Sequence, residues 1–311
     1  MTESIGSERA ARVFTIPAGV SFVDALAARL LAETAVDPLA LSRYTILLPT
    51  RRGRRALSDA FLRQSDGQPL LLPRVMPLGD LDPDEFGFDG GEDMVEASGP
   101  LGARTSDTPP AIPPLRRRLL LTQAIQAARG SGAAPTSVDQ AARLAAELAR
   151  FLDQVQTEQV SFDRLRDLVP ETYARHWQVT LRFLEILTRE WPNILAAEGC
   201  VDPAMRRNQL LEAQAEMWRG QPPADPVIAA GSTGSIPATA QLLQLVAELP
   251  NGRVVLAGLD RDADDETWAA IGADPSHAQH GLCLLLRRLE VAPSDVRPWP
   301  AALPRTTAPS R

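Results

Sequence analysis

Apolar residues fall into short unbroken runs near both ends of the chain and into helical stripes between them. Val13-Phe14-Thr15-Ile16 reads as a strand. It passes through Pro17-Ala18-Gly19-Val20-Ser21 into an amphipathic helix from about Phe22 to Glu33. Tyr44-Thr45-Ile46-Leu47-Leu48 is a second strand, continuously apolar as buried parallel strands are. It stops at Pro49-Thr50, and a helix runs from about Gly53 to Gln64. Leu70–Pro73 and Val75–Leu78 hold a third strand. The pattern returns later: a strand at Pro226–Ala230, the turn Gly231-Ser232-Thr233-Gly234, a helix at Pro237–Glu248 and a strand at Arg253–Ala257. Strands alternating with helices at this spacing predict βαβ units in a parallel sheet.

The middle of the chain differs. Residues 79–113 are acidic, rich in Gly and Pro, and without periodicity, which predicts a flexible loop. Helices then dominate: Leu115–Ala128, Val138–Gln154 behind the helix-start residue Ser137, an aromatic stretch at Glu171–Glu198, and Pro203–Gly220. The predicted fold is α/β, a parallel sheet flanked by helices with an all-helical insertion. Its parts are 1–78 and 223–300 for the α/β core, 79–113 for the loop, 114–222 for the insertion, and a disordered tail at 301–311. Residues 1–10 read as a disordered lead-in.

Composition changes this picture at one point. Among the 311 residues there is no lysine, so all 32 basic residues are arginine. A working phosphate loop puts G-x-x-x-x-G-K-[ST] between a first strand and its helix, because backbone N–H groups cradle phosphate and the lysine reaches its outer oxygens. Here Ala18, Gly19, Val20 and Ser21 fill that junction, and no lysine exists to complete it. A GC-rich genome replaces many lysines by arginine, but a working site would resist the replacement. The turn at Gly231, Ser232, Thr233 and Gly234 stands where the acids that hold magnesium would be, and it is small and neutral. Both halves of an ATPase are therefore missing.

The chain resembles the helicase-like N-terminal region of the alphaproteobacterial AddB family of double-strand-break repair proteins. The resemblance rests on Val13–Gly19, Leu47-Leu48-Pro49-Thr50-Arg51-Arg52, Leu71-Leu72-Pro73-Arg74, Ala230–Pro237 and Leu256-Ala257-Gly258-Leu259-Asp260, in that order. It implies a fold similar to a superfamily 1 helicase core (P-loop NTPase-like) that has lost its chemistry. It also implies a partner, an AddA-type helicase–nuclease subunit, and contact with single-stranded DNA near a break. In that family the nuclease lies beyond the region matched. The chain stops near residue 311 without nuclease carboxylates or cluster cysteines, so no nuclease activity and no cofactor carry over.

In the helicase pattern that the chain resembles, Thr50, Arg51, Arg52, Arg54 and Arg55 stand where a loop touches the single-stranded DNA backbone; a solvated helix start is the other reading of the run. Arginine pairs with phosphate in two-pronged fashion, and a local cluster can bind DNA despite a net charge of −7. The run Arg116-Arg117-Arg118 reads as a solvated helix face. Asp260–Glu266 fails as a calcium loop, with Asp265 and Ile271 at its sixth and twelfth positions. His277 and His280 lack a cysteine to complete a zinc site. Two cysteines give no disulfide framework, which suits the reducing cytoplasm. No secretion signal opens the chain, and no run of about 20 apolar residues predicts a membrane span. Two alternatives stand beside the helicase-like subunit: an active P-loop-type ATPase with an unconventional site, and a generic α/β protein-interaction module.

Overall fold

The structure, a computed structural model, describes residues 9–37, 39–78, 108–127, 137–161 and 186–300. Two compact units divide the chain, residues 1–102 with 212–311, and residues 103–211. The lead-in at 1–8, most of the acidic segment (79–107), the stretch 162–185 and the tail at 301–311 lie outside the described residues.

The first unit is α/β. Its strands are β1 (Val13–Ile16), β2 (Thr45–Leu48), β3 (Arg74–Pro77), β4 (Val227–Ala230), β5 (Gly252–Ala257) and β6 (Arg297–Pro298). They form one sheet in the order β3-β2-β4-β5-β1-β6, with every pairing parallel. Parallel neighbours cannot be joined by a hairpin, so each strand returns through a helix laid on a face of the sheet. Helices α1 (Phe22–Glu33) and α2 (Arg51–Gln64) pack on each other over one face. Leu26, Leu30, Leu57 and Phe61 from these helices meet Ile16, Ile46, Leu48, Ile228 and Val255 from the strands in one buried cluster. Only alternate strand positions can reach that side, and the intervening Thr15, Leu47, Ala229 and Val254 are also buried.

Helix cover for the other face comes from later in the chain. Beyond α1 and α2, the two units hold α3 (Pro114–Ala127), α4 (Val138–Thr157), α5 (Trp191–Glu198), α6 (Pro203–Gly220), α7 (Pro237–Glu248), α8 (Asp265–Ala273) and α9 (His280–Leu289). Helix α7 packs on β4 and β5, and α9 packs on α7 and α8. The turn from α7 to β5 is so tight that any side chain on Gly252 would collide with the Val246 carbonyl. At the start of β5, Arg253 joins the end of α1 through Glu33, 2.8 Å away, and Arg29 joins the same carboxylate at 2.9 Å. That charge beside the Tyr44 hydroxyl, after burial, holds the phenol above its usual range.

The second unit is helical among its described residues. Leu121 and Ile125 of α3, Ala145, Leu148 and Leu152 of α4, and Trp191 and Leu195 of α5 share its core. A run predicted as one aromatic helix from 171 shows, in its described part, a π-helical turn at Ile186–Glu190 followed by α5. The solvated-face reading of Arg116–Arg118 is corrected at Arg117, which is buried. Its guanidinium meets Asp153 at 2.9 Å and Asp202 at 2.8 Å. Asp202 has no exposed side-chain surface and also accepts from Trp191 Nε1 (2.9 Å) and Gln156 Nε2 (2.7 Å). One carboxylate thus ties α3, α4 and α5 to the start of α6. Next to it, Arg116 pairs with Glu198 at the surface.

The two arginines should respond differently to loss of their partners. Asp202→Ala leaves the buried Arg117 charge with Asp153 alone and the Trp191 N–H without a partner, and should cost about 3 kcal/mol. Glu198→Ala, at a half-exposed surface pair, should cost under about 1 kcal/mol. Urea unfolding of the two variants measures both, and equal costs would contradict the buried-network account.

Candidate functional site

In a parallel sheet the loops that leave the carboxyl ends of the strands gather on one rim. Ligands sit there in crevices where neighbouring strands send their chains to opposite faces. β1 and β2 lead to α1 and α2 on one face, whereas β4 leads to α7 on the other. The chain from β5 also passes to the α7 side, through α8 and α9. With the order β2-β4-β5-β1, two such crevices exist, between β5 and β1 and between β2 and β4.

The first crevice lies at Ala18, Gly19, Val20 and Ser21. Residues 17–21 are exposed, and Gly19 turns the chain at φ 87°. The three strand ends are fastened to one another: the Gly258 N–H donates to the Ile16 carbonyl and the Gly231 N–H to the Val255 carbonyl, both at 2.8 Å. A Cβ on Gly258 would stand 3.6 Å from that of Ala18, so the two loops run side by side. No cation from the loop faces the start of α1. Instead the first turn of α1 carries its own anion, Asp24. Its carboxylate accepts from Ser21 Oγ at 2.5 Å and from Arg63 Nη2, in the last turn of α2, at 2.6 Å. Chiefly the Ser21 hydrogen bond, and then Arg63, hold this carboxyl below the usual aspartate range. A helix start favours negative charge. Here an internal carboxylate already supplies it and would repel a phosphate.

Gly231, Ser232, Thr233 and Gly234 follow β4. Gly231 (φ 70°) lies under the Phe22 ring, 3.2 Å from where its Cβ would be, and Gly234 (φ 61°) is closed in by Leu285 at 2.9 Å. Ser232 is buried, and its hydroxyl accepts from the Gly234 N–H at 3.3 Å. This turn is packed between α1 and α9 and offers no carboxylate to a metal.

The second crevice has on its β2 side the start of α2. Thr50 caps this helix, its hydroxyl accepting from the Gly53 N–H at 3.1 Å. The helix therefore begins at Arg51, two residues before the sequence expectation, because the cap is Thr50. Arg51, Arg52, Arg54 and Arg55 all ride its first turns, and all four are exposed. Arg51, Arg54 and Arg55, at helical spacing of three and four, share one side. Leu57, Ala60 and Phe61 take the buried side. No acidic residue occupies the first turn of α2. Four cations there oppose the helix dipole, a cost with no offsetting carboxylate in that turn.

The remaining candidates are structural. Asp260 accepts from the N–H groups of Asp262 and Ala263, at 3.0 and 3.2 Å, and Asp264 caps α8 through the Thr267 N–H at 2.8 Å. His280 Nδ1 lies 3.0 Å from the Ile271 carbonyl, and His277 Nδ1 accepts from the Gln279 N–H. Among the described residues no three His, Cys, Asp or Glu side chains group as metal ligands. No described helix is long and apolar enough to cross a membrane. Sequence reasoning overlooked the Asp24–Arg63 pair. Ser21-x-x-Asp24 is a readable helix-start signal, but a partner 39 residues on is not. No family model, curated protein or solved structure matches the chain.

Ser21→Ala and Arg63→Ala should each raise the Asp24 pKa, because each removes a hydrogen bond to the carboxylate and Arg63→Ala also removes a charge. Each variant moves it toward the ordinary aspartate value of 3.8. The sign follows: a lowered folded pKa adds stability that is complete above the ordinary value and disappears as pH falls through the folded one. Carboxyl chemical shifts followed from pH 7 to acid measure both points (pH range about 7 to 2).

Proposed function

We propose that the chain is a non-catalytic, helicase-like subunit or domain of an AddAB-type machine in double-strand-break repair, with single-stranded DNA as its ligand and an AddA-type motor as its partner. The observation that carries this reading is the division of charge on the carboxyl rim. The β5/β1 crevice, where nucleotide would sit in a P-loop fold, has an internal anion at Asp24 and no cation on its loop. The β2/β4 crevice is flanked by the four exposed arginines of α2. A helical unit between β3 and β4 fits the helicase-like layout, in which a helical subdomain interrupts the core.

In this reading the rim does no chemistry. Phosphoryl transfer needs a lysine and a metal to neutralise charge that develops on the transferred group. A packed glycine turn and a carboxylate stand in their places. The arginines bind the DNA backbone without reading sequence, because phosphate contacts fix position and base contacts carry specificity. An active ATPase is the contrary reading, and it requires magnesium-dependent ATP turnover by the pure chain that is lost on changing Gly19 and Ser21.

Replacing Arg51, Arg52, Arg54 and Arg55 together by Ala should weaken binding to an oligothymidine strand. It should also flatten the slope of log K against log salt by about 3, since each phosphate contact on a single strand contributes about 0.7. Fluorescence anisotropy across a salt series reads both quantities. An unchanged slope would remove the DNA-contact assignment.

A further inference from the structure

A cleft separate from the carboxyl rim opens between α8 and α9. Its volume is about 320 Å³, at the small end of the range for small-molecule sites. Trp268 and Ala269 of α8, Cys283 and Leu286 of α9, and Val291 and Pro293 after α9 make its walls. Trp268, Cys283, Leu286 and Val291 are each at least nine-tenths buried. The lining is apolar with two polar features that the fold does not use.

The first is the Trp268 indole N–H. It is buried and meets no acceptor among the described residues, and an unmet buried donor is costly. The second is Arg287. Three charges stand at the rim: Asp265, Arg287 and Glu290. Glu290 is held by Arg9 at 3.0 Å. Asp265 sits in the first turn of α8, where the positive helix end compensates it. Arg287 has no carboxylate within ion-pair reach among the described residues. Its guanidinium lies against Gly272 of α8, and Arg287 is the one cation among the described residues that line the cleft.

We propose that this cleft binds a small amphiphilic carboxylate, its apolar body against Trp268 and Leu286 and its carboxylate on Arg287. A carboxylate on arginine makes a charge-assisted pair of defined geometry. The site is independent of the DNA reading, and neither depends on the other.

Calorimetric titration of the full chain at neutral pH tests it with three probes that share one tail: octanoate, octanol and octylammonium. Octanoate should bind saturably at one site and more tightly than the other two. Arg287→Gln should weaken octanoate about tenfold and leave octanol unchanged. Ala269→Trp, at an exposed position on the cleft wall, should abolish binding of both while circular dichroism stays that of the parent. Three results would overturn the proposal: no saturable octanoate binding by the parent chain, octanoate binding untouched by Ala269→Trp, or octylammonium binding more tightly than octanoate.

Discussion

The first unit depends on one constraint: a parallel sheet must be covered on both faces. Parallel strands need crossovers, crossovers need helices, and helices need apolar strand faces to lie on. Ile46, Leu47 and Leu48 are buried in succession because one side meets α1 and α2 and the other is covered as well. The same constraint gathers all the outgoing loops on one rim. It also creates the two crevices there, because α1 and α2 take one face and α7 takes the other. Everything proposed about the rim follows from which side chains the sequence places on those loops.

Arginine charge is deployed in three ways across the two units, all without lysine. Exposed arginines crowd the start of α2 with no acid in the first turn. Arg63, in the last turn of the same helix, braces Asp24 of α1. In the second unit Arg117 goes inside, where its planar group can meet Asp153 and Asp202 from different directions. Residue type is the same in each case, and surroundings decide whether it is an exposed charge, a brace or part of a core.

Much of the α/β core could be read along the chain. Strand and helix positions, the turn glycines at 231 and 234, and the missing lysine and acids are local features. Local rules also set their limits. The helix start at Thr50 was readable as a cap, yet the expectation began the helix at about Gly53, two residues after its observed start at Arg51. Arg117 looked solvated because it lies in a basic run, and nothing adjacent announces a carboxylate 85 residues later at Asp202. The cleft between α8 and α9 left no trace in periodicity, because its walls come from two helices and a turn.

By itself the sequence determined the elements, their α/β alternation, the helical block within it and the chemical poverty of the first loop. These depend on hydrogen-bonding period, apolar spacing and residue type, which act over a few residues. Tertiary structure alone decided the strand order, the partners of Asp24, Arg117 and Arg253, and the separation of the two crevices by charge. Those follow from contacts between residues far apart in the chain, made only when the sheet is covered on both sides.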